Sequence, residues 1–135
     1  MNILIHWKKE YELGIKEIDQ HHKKLVDLIN MAYDSHISNI PGDTLQQVTT
    51  ELIDYAFVHF KFEEKYFEKF GYEHAEEHIR EHQFFTKKIA QLQSDWRMGS
   101  AEKKQVVIDF LKKWLDHHIL NSDKRYVDCF RRNGM

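Results

Sequence analysis

Two pairs of metal-ligating side chains stand four residues apart near the middle of the chain: His59 with Glu63, and His78 with His82. That spacing puts both members of each pair on one face of a helix. Between the pairs lies Phe70-Gly71-Tyr72, a helix stop followed by a turn. A link that short makes the two helices antiparallel neighbours, with their ligand pairs facing each other across a core.

The apolar spacing around them extends the pattern to four helices. Ile18, His22, Leu25, Ile29 and Ala32 step by four and three residues, the spacing of a bundle core. They predict a first helix at about 18–38, broken by Asn39-Ile40-Pro41-Gly42. Asp43 is the expected N-cap of the next helix, with Gln46 completing a capping box. That second helix runs to about residue 70, with a stripe of Leu45, Val48, Leu52, Tyr55, His59, Phe62 or Glu63, and Tyr66. The third, about 73–97, carries His78, His82, Phe85, Ile89, Leu92 and Trp96. Met98-Gly99-Ser100 makes a turn, with Ser100 as N-cap. The fourth, about 101–121, carries Val107, Leu111, Trp114 and His118. Residues 1–17 read as an arm packed by its aromatics, Trp7 among them as a core-edge plug, and 123–132 as a short helical tail. The expected fold is all-α: an up-down-up-down four-helix bundle. One proline and five glycines in 135 residues suit long helices and leave little for a turn-rich β fold.

At this length the chain reads as one domain, 1–135, able to bury roughly two thirds of its unfolded surface. A net charge of −2 gives no reason to expect nucleic acid or an anionic membrane as partner. No apolar run approaches the ~20 residues of a membrane span. The opening M-N-I-L-I-H-W-K-K-E lacks the pattern of a signal peptide. With a single cysteine, Cys129, the expected compartment is the cytoplasm.

The ten histidines carry the chemistry. His22, His59, His78, His82 and His118 all continue apolar stripes and so point into the core. A buried imidazole is unfavourable without a partner. Five of them cannot all be satisfied among Leu, Phe and Trp, but a shared metal centre satisfies every one. Glu63 strengthens the case, because a buried carboxylate must be paired or bind a metal. Asp123 follows His118 by five residues, about 140° around an ideal helix. It reaches the same centre only if the helix is distorted or ending there, and spacing alone leaves its role open. Glu64 and Glu81 read as solvated helix faces. Tyr126, one turn past Asp123, is a candidate to orient an imidazole. His6, His21, His36, His74 and His117 read as surface or edge residues.

The ordered set Asp19-Gln20-His21-His22-Lys23-Lys24-Leu25, His59-Phe60-x-x-Glu63-Glu64, His78-x-x-x-His82-x-x-Phe85 and Trp114-Leu115-x-x-His118-Ile119-x-x-x-Asp123-x-x-Tyr126 resembles the hemerythrin family, in its bacterial single-domain form. The resemblance covers the chain from Trp7 to Tyr126. It implies two iron ions in a non-haem di-iron centre, linked by an oxo or hydroxo oxygen. His22 and His59 would bind one iron, His78, His82 and His118 the other, with Glu63 and Asp123 bridging both. The family's own gap between His118 and Asp123 is also five residues. A ligand count on two six-coordinate irons then leaves one position open, on the iron held by two histidines.

The implied function is reversible dioxygen binding, for transport, storage or local delivery, by a protein that is not an enzyme. The alternative is a di-iron enzyme or sensor acting on peroxide, nitric oxide or oxygen. No Ser/His/Asp set, activated cysteine or phosphate loop offers other chemistry. Trp114, Leu115 and Ile119 resemble the family's pocket lining. One position departs from the pattern: the family usually has Gln where His21 stands. Two adjacent histidines then compete for one ligand role, and His22 has the family spacing from Asp19 and Leu25.

Overall fold

The computed structural model describes residues 2–38, 44–97 and 101–135, without the side chains of 95–97 and 101. Among these residues the helices are α1 (Lys16–Ile37), α2 (Thr44–Phe70), α3 (Ala75–Arg97), α4 (Ala101–His117) and α5 (Val127–Arg132). A 3-10 turn lies at Lys9–Tyr11 and a π-helical turn at His118–Asp123. α1 packs on α2 and α4, and α3 packs on the same two helices. This is the all-α up-down-up-down bundle that the spacing predicts. The Asn39–Asp43 break, the Met98–Ser100 turn, both proposed N-caps and the side chain of Trp96 lie outside what is described.

Helix ends differ from expectation by a few residues, for local reasons. α1 starts at Lys16, because the Asp19 N–H already bonds the Ile15 carbonyl at 2.9 Å. α3 starts at Ala75, after a turn closed by the Ala75 N–H on the Tyr72 carbonyl at 3.2 Å. α4 gives way to the π turn at His118 rather than running to 121, and the tail helix begins at Val127 rather than 123. Gly71 ends α2 as expected, at φ +64°. The Tyr72 N–H reaches back to the Phe67 carbonyl at 3.0 Å, and the two rings pack 5.1 Å apart. That backbone bond with its apolar contact is a Schellman cap.

Burial follows the predicted stripes except along α2 and at Trp114 of α4, which is half-buried. Along α2, Tyr55, Phe62 and Tyr66 are only half-buried, while Ala56, Phe60 and Phe67 fill the core. Neighbours turn inward together at Val48-Thr49, Leu52-Ile53 and His59-Phe60, so the buried face is wider than one stripe and is offset from the predicted one from Ala56 on. The arm is tied down by Asn30, buried in α1. Its amide accepts the N–H groups of Leu4 and Ile5 at 3.0 and 2.9 Å and donates to the Ile5 carbonyl at 2.9 Å. Trp7 lies half-buried against the core, as a plug at its edge.

The core has two large apolar layers. One holds Leu25, Phe60, Phe85, Leu115 and Ile119. The other holds Ile18, Phe67, Tyr126 and Phe130. Along every bundle helix the buried histidines and carboxylates fall at the boundary between them.

Candidate metal centre

The seven residues singled out as ligands converge on that boundary. His22 comes from α1, His59 and Glu63 from α2, His78 and His82 from α3, and His118 and Asp123 from the π turn. None is more than 3% exposed. They form two groups whose ligand atoms lie within 4.8 Å of one another: His22, His59 and Asp123; and Glu63, His78, His82 and His118.

The carboxylates straddle these groups. Asp123 turns Oδ2 to His22 Nε2 at 2.8 Å and His59 Nε2 at 3.3 Å. Its other oxygen, Oδ1, lies 3.0 Å from Nε2 of both His78 and His118. Glu63 places Oε1 3.3 Å from His59 Nε2 and 3.1 Å from His82 Nε2, with Oε2 3.5 Å from His78 Nε2.

Asp123 reaches this centre because the backbone is π-helical there. A π turn bonds residue i to i+5 rather than i+4, so it absorbs the extra residue between His118 and Asp123. Both side chains then face inward, by the local distortion that the five-residue gap requires.

The donor set fits metal ions better than it fits hydrogen bonding. Glu63 Oε2 and Asp123 Oδ1 are wholly buried yet make no hydrogen bond. Nε2 of His118 lies 3.1 Å from Nε2 of His78 and 3.3 Å from that of His82. Two ligands about 2.1 Å from one ion and at right angles to each other are ~3.0 Å apart. Three imidazole nitrogens crowded at this distance around a carboxylate form a ready cation site.

Electrostatics agree. Burial opposes charge on His118, but the adjacent Asp123 carboxylate outweighs it and pushes the imidazole well up. His22 is raised in the same way, and His78 to about 9. Burial and mutual repulsion work against Glu63 and Asp123 as anions, yet the imidazoles around them hold both well below the usual carboxylate range. Burial alone would keep these groups neutral; the pairing of His22, His78 and His118 with Glu63 and Asp123 works against it.

The outward nitrogens of four of these imidazoles are also held. His22 Nδ1–H donates to the Tyr11 carbonyl in the arm at 3.2 Å. His82 Nδ1–H donates to Glu64 at 3.0 Å, and His118 Nδ1–H to Glu81 at 3.2 Å. Ser122 donates a further hydrogen bond to Glu81. Glu64 and Glu81 are therefore not solvated faces, as their spacing suggests, but partners of the buried histidines. Burial opposes the Glu81 anion, but His118 and Ser122 outweigh it and hold its carboxyl down at about 2. His21 is also more than an edge residue: its Nδ1 lies 2.9 Å from Nδ1 of His59. Burial, then His59 and His22, pull His21 down to about 4. Tyr126 does not orient an imidazole. Its ring lies against His78 and its buried hydroxyl has no hydrogen-bond partner. His6 and His117 are exposed, and His36 and His74 half-buried.

Aromatic rings wall the centre. Phe60 stacks on His82 at 4.0 Å and 12°, and Trp114 on His118 at 4.4 Å and 15°. Leu115 and Ile119 line a small gap with Leu25, Val26 and Ile29, with Tyr11 and Asp116 at its side.

Comparison with known proteins gives one family. The model of the Hemerythrin HHE cation binding domain matches residues 13–130. A bacteriohemerythrin of Clostridium acetobutylicum is 34% identical, over 90% of this chain and 98% of its own. One from Pseudomonas paraeruginosa is 31% identical, over 94% of this chain and 82% of its own. A crystal structure of a leucine-to-phenylalanine mutant superposes with a TM-score of 0.82 at 31% identity, covering 93% of this chain and 96% of that one.

Proposed function

Since the chain belongs to the hemerythrin family, we propose that it binds dioxygen reversibly at two iron ions, as a carrier, store or local supplier rather than an enzyme. The observation that carries this reading is the unequal division of histidines between two groups straddled by the same two carboxylates. His22 and His59 would hold one ion, and His78, His82 and His118 the other, with Glu63 and Asp123 shared between them. An iron pair bound there would supply two redox electrons for a diatomic ligand.

The chain's own residues do the rest. Glu64, Glu81 and the Tyr11 carbonyl hold imidazole protons on the outward nitrogens, which keeps each inward Nε2 free as a donor. Phe60 and Trp114 cover His82 and His118 face to face and, with Ile119 and Leu115, keep water from the centre. Dryness favours reversible binding, because water and protons drive irreversible oxidation of the metal. Among the described residues, the only carboxylates at the centre are the two shared ones. The others nearby, Glu64 and Glu81, are committed to imidazoles.

Oxygen-uptake equilibria on the anaerobically iron-loaded protein test this. One dioxygen taken up per chain and released at low pressure is the expected result. Steady consumption of peroxide or nitric oxide with no reversible uptake would replace it with the enzymatic reading.

A further inference from the structure

The imidazoles of the centre are not held alike. His82 and His118 each donate their outward N–H to a carboxylate, and His22 donates to a backbone carbonyl. His59 meets another histidine. Its Nδ1 lies 2.9 Å from Nδ1 of His21, with the two rings edge to face at 5.1 Å. His59 turns Nε2 inward, within 3.3 Å of both Glu63 and Asp123. The proton of a neutral His59 is therefore on Nδ1, and the atom facing it must accept. His21 can do so as the tautomer protonated on Nε2.

The geometry points to His21 as a positioning residue: by accepting the His59 Nδ1–H it fixes the tautomer and ring orientation of His59 and so governs metal affinity in the group of His22, His59 and Asp123. The inference rests on His59 being a ligand, as proposed above. The His21 ring is itself fixed, edge to face against Phe62 at 4.8 Å and Tyr55 at 5.9 Å. The acceptor is thus a rigid, half-buried group rather than a mobile surface side chain. A neutral acceptor adds no charge, so this group receives less electron donation than the group backed by Glu64 and Glu81. Losing such an outer partner typically lowers metal affinity 10–100-fold.

The test compares His21→Phe with His21→Gln. Phenylalanine keeps the packing against Phe62 and Tyr55 but cannot accept a hydrogen bond; glutamine restores a carbonyl acceptor. Cobalt(II) titration, read from its visible absorption, measures the two binding steps. Proton NMR of the zinc-loaded protein reads the His59 Nδ1–H signal directly, and circular dichroism checks that each variant is folded. The expected result is a loss of about 10–100-fold in the weaker step for H21F, with the downfield His59 N–H signal gone, and recovery of both in H21Q. Wild-type affinity and an unchanged N–H signal in folded H21F would overturn the role of His21. So would equal losses in both variants, which would assign His21 to packing. If the wild-type chain itself takes up fewer than two ions, the ligand assignment fails first and this inference falls with it.

Discussion

Asp123→Asn removes one charge and almost no volume, yet it should halve the metal capacity of the centre. Asp123 presents one oxygen to His22 and His59 and the other to His78 and His118. An asparagine has a single acceptor oxygen, and its NH2 group only donates. Whichever way the amide turns, one group of histidines faces N–H protons where it had a carboxylate oxygen. The size of the effect follows from linkage. An ion present at a hundred times its dissociation constant stabilises the fold by ~2.7 kcal/mol per site. At an unfolding entropy of ~2.1 cal/mol/K per residue, 135 residues give ~0.28 kcal/mol/K. Each filled site should then raise the melting temperature by ~10 °C, and two sites by ~19 °C. The assay is equilibrium dialysis with elemental analysis, alongside thermal melts followed by circular dichroism, using anaerobic ferrous ion or zinc. D123N should retain at most one ion per chain and at most ~10 °C of the shift. Two ions per chain with the full wild-type shift would refute the claim that Asp123 serves both groups.

Other perturbations have equally definite outcomes. In the metal-free protein the raised histidines contribute stability that is fully present below ~6.5 and lost as pH rises, for His78 through about 9. The lowered carboxylates Glu63 and Asp123 contribute stability present above their ordinary values and lost as pH falls through their depressed ones. Melts of metal-free protein should therefore peak at mildly acidic pH and decline towards pH 9; a maximum at alkaline pH would contradict this. Metal uptake should run the other way, since ions and protons compete for the same nitrogens. Phe60→Ala should cost about 3–5 kcal/mol in denaturant titration, because Phe60 is 3% exposed and packs on His82, Phe85 and Trp114. It should also speed oxidation of the iron-loaded protein by admitting water. Gly71→Ala should cost about 1–2 kcal/mol from its left-handed backbone alone, since a Cβ there meets nothing within 4 Å; a neutral effect would contradict the strain argument.

The bundle is legible in the chain because its buried histidines and core residues share the same stripes. His22 continues Ile18 and Leu25, and His82 continues His78 and Phe85, so one periodicity gives both the fold and the side that carries chemistry. Where two neighbours turn inward together, as at Leu52-Ile53 and His59-Phe60, periodicity misleads: Ala56 rather than Tyr55, and Phe67 rather than Tyr66, fill the core. Asp123 could be posed as a question but not answered, because a π turn leaves no mark on the residue pattern beyond the extra residue itself. Glu64 and His21 differ from their sequence expectation for another reason. Each meets its histidine across a helix boundary, Glu64 with His82 and His21 with His59, and cross-helix pairs have no sequence spacing. The requirement behind them is general: every buried ligand histidine has a second nitrogen that needs a partner. That rule says partners exist without saying which residues they are.

The most direct test of reversible oxygen binding is the optical spectrum of anaerobically reduced, iron-loaded protein, recorded before air, after air, and after argon purging. The account predicts a visible band that appears in air, fades under argon and returns on re-exposure. A band that persists under argon, from rapid and irreversible conversion to an oxidised form, would contradict it.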